Sequence, residues 1–249
     1  ESRLLERFKY INKKNGVKEH EIWRDPLSAL ISTKKVIKYA KKYNTKAHII
    51  HISTFEEMEL LKDKGDFISV EVTPQHLTLY SPDCYNNIGT LAQMNPPIRS
   101  IKHQNGLWQG IKNGTVDVIG SDHAPHPLEE KKKLWPNSPS GVPGAQTTLQ
   151  IMLNHVNNNK LSFKKLIELL SENPCKIYNI KNKGFIKVGY DADLTVVDLN
   201  KEIIIKNSDM ASKTGWSPFD GMKLKGCAVS TIVNGEIKML NGNIISKPN

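Results

Sequence analysis

The 249 residues are 38% hydrophobic and 24% charged, ordinary globular proportions that argue against a disordered chain and allow a sizeable core in one or two domains. No stretch approaches the roughly 18 apolar residues of a membrane span, and the opening Glu1-Ser2-Arg3-Leu4-Leu5 is charged and unlike a signal peptide, so the expected class is a soluble cytoplasmic protein with no membrane partner. The formal charge of +10 does not read as a nucleic-acid surface: the only arginines are Arg3, Arg7, Arg24 and Arg99, the lysines are spread along the chain, and bidentate recognition of phosphate and guanine favours arginine.

Cys84, Cys175 and Cys227 are far apart and odd in number, which predicts reduced, mostly buried thiols and neither a disulfide framework nor a thiolate zinc site. The longest basic run, Lys131-Lys132-Lys133, follows Glu129-Glu130 and reads as a solvated surface loop. What the charge supports is a modest bias toward anionic small molecules.

From residue 25 onward, helix and strand patterns alternate. Asp25-Pro26 places a capping carboxylate before a first-turn proline, and Leu27, Leu30, Ile31, Ile37 and Ala40 recur on one face of the helix that follows. Residues 47–52 read as a short strand. Ser53-Thr54-Phe55-Glu56 reads as a capping box opening a helix that stops near Gly65, and residues 67–72 as a second strand. A loop holding Asn95-Pro96-Pro97 leads to a helix over 101–112 and a third buried strand over 116–121. This rhythm predicts a parallel sheet covered by helices, either doubly wound or closed as a (β/α) barrel. Past Gly184 the helical periodicity fades. Residues 184–198 read as strand, tight turn, strand, and Thr231 to Ile237 as a hairpin on Asn234-Gly235, so residues 1–184 are assigned to the α/β part and 185–249 to a small β module.

In both parallel architectures functional groups collect at the carboxyl ends of the strands. His51, Glu71 or His76, Asn95, and Asp122 with His126 all fall at such ends. The run Asp117-Val118-Ile119-Gly120-Ser121-Asp122-His123-Ala124-Pro125-His126 breaks at Gly120 and then delivers a carboxylate and two imidazoles. These residue types supply the donors that divalent metals and general acid–base chemistry use near neutral pH. Period-two alternation turns His123 away from Asp122, toward a structural role.

Several segments together resemble the dihydroorotases and other cyclic amidohydrolases of the amidohydrolase superfamily: His20-Glu21-Ile22-Trp23-Arg24-Asp25, His51-Ile52-Ser53-Thr54, Val72-Thr73-Pro74-Gln75-His76-Leu77, Asn95-Pro96-Pro97-Ile98-Arg99 and Ser121-Asp122-His123-Ala124-Pro125-His126. The segment Gly189-Tyr190-Asp191-Ala192-Asp193-Leu194 is similar to one shared across the superfamily. The resemblance implies the C-terminal part of a (β/α)8 TIM-type metal-dependent hydrolase barrel, strands six to eight with their helices, and a small β-sandwich module. It further implies a binuclear Zn2+ site in the complete family enzyme, with His51 as the sixth-strand ligand and Asp122 as the eighth-strand ligand and catalytic group. Asn95, His126, Ser140 and Gly141 match substrate-binding positions, the last two through backbone. Gln75 stands where the family motif commonly has a histidine. The first-strand His-x-His pair of the family does not occur in this sequence, and Glu1 resembles the Glu that closely follows the fifth-strand ligand. The chain is therefore expected to begin just past that ligand, neither turning over substrate nor retaining zinc tightly by itself, because two ligands cannot close a site that needs at least three.

A cyclic amide is a poor electrophile, so its hydrolysis gains from a metal that polarises the carbonyl and lowers the pKa of a coordinated water to about 7. Asp122 is expected to take the proton of that water and then to protonate the leaving ring nitrogen. The implied reaction interconverts N-carbamoyl-aspartate and dihydroorotate in pyrimidine synthesis. Allantoinase- or dihydropyrimidinase-type chemistry is one alternative. The other is a non-catalytic, dihydroorotase-like scaffold subunit. Beside the small-molecule substrate, a homo-oligomer or a transcarbamoylase is the expected protein partner.

Overall fold

Asp25 and Pro26 start a helix for the reason their order implies. The Asp25 carboxylate accepts from the Ser28 backbone N–H at 3.0 Å, and the helix Pro26–Tyr43 runs until Asn44 turns left-handed at φ 46°. In this computed structural model, which describes residues 2–246, the chain then enters a parallel sheet of three strands, β1 (Ala47–Ile49), β2 (Ile68–Val72) and β3 (Val118–Ile119). The order is β1-β2-β3, with His48 opposite Ser69 and Glu71 opposite Val118. Along β2 the apolar residues Ile68, Val70 and Val72 are buried on one face, and Ser69 and Glu71 are half-buried on the other.

The first and third strands are shorter than the hydrophobic runs at 47–52 and 116–121 predict. Neighbouring hydrogen bonds continue past the ladder, from Ile52 N to Glu71 O at 2.9 Å and from Gly120 N to Val72 O at 3.0 Å. What ends the first ladder is a change of backbone hand at His51, which a run of apolar residues does not reveal.

The helix Ile101–Lys112 has the predicted bounds. The helix Phe55–Leu61 is capped one residue later than the sequence pattern implies and stops before Gly65: Thr54 Oγ1 accepts from Glu57 N at 3.1 Å and donates to Glu57 Oε2 at 2.8 Å. Thr33 Oγ1 donates to Glu57 Oε1 at 2.6 Å, so the buried carboxylate is served from two elements. Ser53 instead accepts from Arg99 Nε at 3.0 Å.

The chain forms two compact units, Glu1–Gln146 with Lys206–Asp220, and Thr147–Ile205 with Gly221–Asn249. The first holds the parallel sheet. A core cluster of that unit, with Met94, Ile98, Trp135, Val142 and Trp216, draws on the loops that follow β2 and β3. The second unit holds the helix Thr148–Asn157 and an antiparallel sheet of β4 (Leu194–Ile204), β5 (Lys223–Val233), β6 (Glu236–Leu240) and β7 (Asn243–Ile244), in that order. Asn234 and Gly235, at φ 51° and 78°, make the expected hairpin turn with both central residues left-handed. The predicted strand at 184–188 is absent: the Asp191 N to Asn182 O and Tyr190 N to Lys187 O bonds fold that segment on itself, and Lys183 pairs with Asp191 and Asp193. All three cysteines are free, with Cys84 and Cys227 buried and Cys175 half-buried. Among the described residues no helix is long and apolar enough to cross a membrane.

Thr54→Val removes the cap and one of the two hydroxyl donors to buried Glu57. Equilibrium denaturation is expected to show a loss of about 1–2 kcal/mol; an unchanged midpoint would contradict the capping assignment.

Candidate functional site

His51 and Asp122 share an unusual backbone. Among the described residues eight non-glycine positions have positive φ, and six of them are asparagines; the other two are His51 at 43° and Asp122 at 41°. Left-handed backbone costs a residue with a Cβ about 1–2 kcal/mol, and it aims the side chain where an extended strand would not. Both residues leave strand ends on the same edge of the parallel sheet, and their charges act on one another. Burial and the Glu71 carboxylate push Asp122 above the ordinary carboxylate range, while His51 pulls it back. Glu71 lies directly over Gly120, where an added Cβ would sit 2.3 Å from the carboxylate, so a side chain there would displace Glu71 from its place. Beneath Glu71, on the same face, His48 lies 3.5 Å from Glu71 Oε2 and hydrogen-bonds Ser69 Oγ at 2.7 Å. The resulting set is one imidazole and two carboxylates at the mouth of the sheet, with a polar ladder below. No three His, Cys, Asp or Glu side chains among the described residues converge closely enough to hold a metal ion by themselves. Glu1, matched by resemblance to a position near the fifth-strand ligand, lies outside the described residues.

The loops after β2 and β3 are braced by buried polar groups. His76 donates from Nε2 to Pro96 O at 3.0 Å, which leaves Nδ1 to accept the Thr73 hydroxyl at 2.7 Å, and burial pushes the ring down to about 3. This neutral ring ties the end of β2 to the Asn95-Pro96 loop. Gln75 Nε2 donates to the carbonyl of Ser121, the residue before Asp122, at 2.9 Å. His123 turns away from that centre: its Nδ1 accepts from Gly144 N and Ala145 N at 3.1 and 3.2 Å.

His126, Ser140 and Gly141 share a second set of contacts, while the side chain of Asn95 meets His20. His126 Nε2 donates to Ser140 O at 3.3 Å, Gly141 N donates to Gln93 O at 3.0 Å, and Gln93 Nε2 donates to Ser140 Oγ at 3.1 Å. Gly141 has φ 142° and lies so close to Ala124 that an added Cβ would meet its carbonyl at 2.6 Å. Trp216 Nε1 donates to His126 O at 2.8 Å and fixes that turn from below.

Lys131 contradicts the surface reading of the basic run. Lys132 and Lys133 are exposed, but Lys131 is fully buried, donating to Gln93 O and Pro139 O at 2.8 Å each and lying over the Trp216 ring at 5.8 Å. Burial pushes its ammonium down to about 7. A neutral amine keeps two N–H donors and can hold both carbonyls. Its own carbonyl accepts from Thr90 Oγ1 and Ser138 Oγ, so one residue fastens the loop carrying Ser140 and Gly141 to the loop carrying Asn95. Nothing local in Glu129-Glu130-Lys131 marks this role; the acceptors come from 8 and 38 residues away.

The sequence profile of the Amidohydrolase family matches residues 10–238. The chain belongs to the amidohydrolase family. Among relatives of this amidohydrolase, the dihydroorotase of Pyrococcus furiosus is 39% identical over 226 residues, 90% of this chain and 52% of the relative. The dihydroorotase of Methanosphaera stadtmanae is 38% identical over 238 residues, 95% of this chain and 53% of the relative. The chain thus spans about half the length of the relatives it matches. Among solved structures, the L-hydantoinase (dihydropyrimidinase) from Arthrobacter aurescens superposes with a TM-score of 0.93 at 30% identity, over 99% of this chain and 57% of that one. Dihydropyrimidinase from Brevibacillus agri NCHU1002, at 24% identity over 92% of this chain and 52% of that one, shares the fold with a TM-score of 0.85. The parallel sheet with its helices is accordingly the C-terminal part of the family's (β/α)8 barrel, accompanied by a small β module.

The buried lysine of this amidohydrolase gives its stability a pH dependence of defined sign. Between about 7 and the ordinary lysine value of 10.5 the unfolded chain binds a proton that the folded chain does not, so stability rises with pH across that window and is flat below it. Relative to Lys131→Met, the wild type is expected to gain on the order of 1 kcal/mol per pH unit from pH 7 to 9.5 in denaturation experiments. A pH-independent difference would contradict the buried amine.

Proposed function

We propose that the chain carries one side of a zinc-dependent dihydroorotase site, the reaction being the interconversion of N-carbamoyl-aspartate and dihydroorotate. The observation that carries this reading is the pair His51 and Asp122, both in left-handed backbone at the same edge of one parallel sheet and electrostatically coupled. An imidazole nitrogen and a carboxylate oxygen are suitable zinc donors, and the remaining positions of such a site must come from outside the described residues. When bound, zinc supplies Lewis-acid polarisation of the amide carbonyl and acidifies water.

The chain's own residues account for the rest of the chemistry. Asp122, held above the ordinary carboxylate range, is a better base for water than a solvated aspartate. It accepts a proton as the water oxygen bonds to the ring carbonyl carbon, then returns that proton to the ring nitrogen as the carbon–nitrogen bond breaks. Ring closure is the same sequence reversed. Asn95, exposed at the end of its loop, and His126, held by Ser140 and Trp216, orient the substrate, and the Ser140-Gly141 turn offers backbone groups to it.

The Asp122-His123-Ala124-Pro125-His126 run and the identities of 39% and 38% to proteins named dihydroorotases support this substrate. A hydantoin- or dihydropyrimidine-opening activity is the second reading, supported by the 0.93 TM-score with an L-hydantoinase. Comparing turnover of dihydroorotate with that of hydantoin and dihydrouracil in the full-length enzyme separates the two.

In that enzyme, Asp122→Ala is expected to remove more than about 99% of dihydroorotate hydrolysis, the loss typical of deleting a general base. Chelation should do the same to the wild type, and added zinc should restore it. Activity above that residue in Asp122→Ala would overturn the assigned role.

A further inference from the structure

His20 lies on the short helix Glu19–Trp23, 1% exposed, and its ring meets three partners distant in sequence. Nε2 is 3.0 Å from Met94 O and 3.0 Å from Asn95 Oδ1, and Trp135 Nε1 points at Nδ1 from 3.4 Å. An indole N–H only donates and a backbone carbonyl only accepts. Two independent partners therefore dictate one tautomer: Nδ1 accepts from Trp135, and the proton sits on Nε2, shared between Met94 O and Asn95. The atom of Asn95 facing a donor must be its carbonyl oxygen, which settles the orientation of the amide. Burial, with the charges of Arg24 and Lys131, pushes His20 down to about 4, in accord with a ring that stays neutral.

The rest of the Asn95 side chain follows from this. Its oxygen is held by His20, its nitrogen makes no hydrogen bond to the described residues, and the residue is exposed although Gln93, Met94 and Pro97 around it are buried. Both amide N–H groups are thus turned outward, into the region where Asn95 would meet substrate.

We infer that His20 is a positioning residue for Asn95, locking its carboxamide with the nitrogen outward, so that this position selects substrates presenting a hydrogen-bond acceptor, a carboxylate or imide carbonyl oxygen, and rejects those presenting an N–H. The inference rests on the proposed dihydroorotase reading for the substrate, but not for the orientation. A free carboxamide could rotate to suit either kind of group. One wedged against a donor cannot do so without leaving the His20 N–H or its own oxygen facing a mismatched partner, which is the stronger source of discrimination.

Two measurements test it. Long-range 1H–15N correlation on the wild-type chain at pH 7 should find the proton of His20 on Nε2, with Nδ1 bare; a proton on Nδ1 would overturn the inference whatever the substrate. In the full-length enzyme, His20→Leu should raise KM for dihydroorotate about tenfold, the loss of one well-placed hydrogen bond, with kcat within about twofold. His20→Gln, which can still donate toward Asn95, should recover most of the loss. An unchanged KM in His20→Leu would also overturn it. If the wild type does not turn over dihydroorotate, the substrate reading fails instead, and the tautomer measurement alone decides the orientation of Asn95.

Discussion

The parallel pairing of β1, β2 and β3 is the constraint from which the rest of the candidate site follows. Because the strands run in one direction, their carboxyl ends share an edge, and the residues that leave them are brought together however far apart they lie in sequence. His51 and Asp122 leave β1 and β3 with the backbone reversed in hand, a conformation that elsewhere in the described chain falls to asparagine or glycine. Two unfavourable backbone conformations at about 1–2 kcal/mol each persist when surrounding contacts over-determine them. Those contacts are identifiable: Ile52 and Gly120 remain hydrogen-bonded to β2 on either side, and Gln75 holds the carbonyl just before Asp122.

The loops around Asn95 and Ser140 are built differently, from buried polar groups instead of a sheet. Lys131, Gln93, His20 and His76 are each buried, and their bonds run to backbone carbonyls and to the side chains of Asn95, Ser140, Thr73 and Trp135. Such groups are costly to bury and become favourable only when satisfied, which makes their geometry more exacting than apolar packing would be. On the proposed reading the division is functional: the sheet edge would present the groups for proton and metal chemistry, and the polar network under the loops would fix those that meet substrate.

What could be read from the sequence was local. The Asp25-Pro26 start, the helix over 101–112 and the Asn234-Gly235 hairpin depend on neighbours within one turn, and all three form as expected. The placement of His51 and Asp122 at strand ends was likewise visible, because a hydrophobic run marks a buried strand and its polar exit marks an end. Strand lengths were overestimated where the run continues past the change of hand at His51. The predicted strand at 184–188 failed because its hydrogen bonds close within its own segment. Lys131 was misread because three adjacent lysines look alike until tertiary acceptors bury one of them. The role of His20 was invisible for a related reason, since Asn95 and Trp135 lie 75 and 115 residues away.

The central claim, that His51 and Asp122 form one face of a metal site, is tested most directly by adding cobalt(II) in increments to the 15N-labelled chain and following its amide signals. The account predicts that paramagnetic broadening begins at residues 51–53 and 121–123 and reaches Glu71 next. Broadening centred away from both strand ends, on His155 for example, would contradict it.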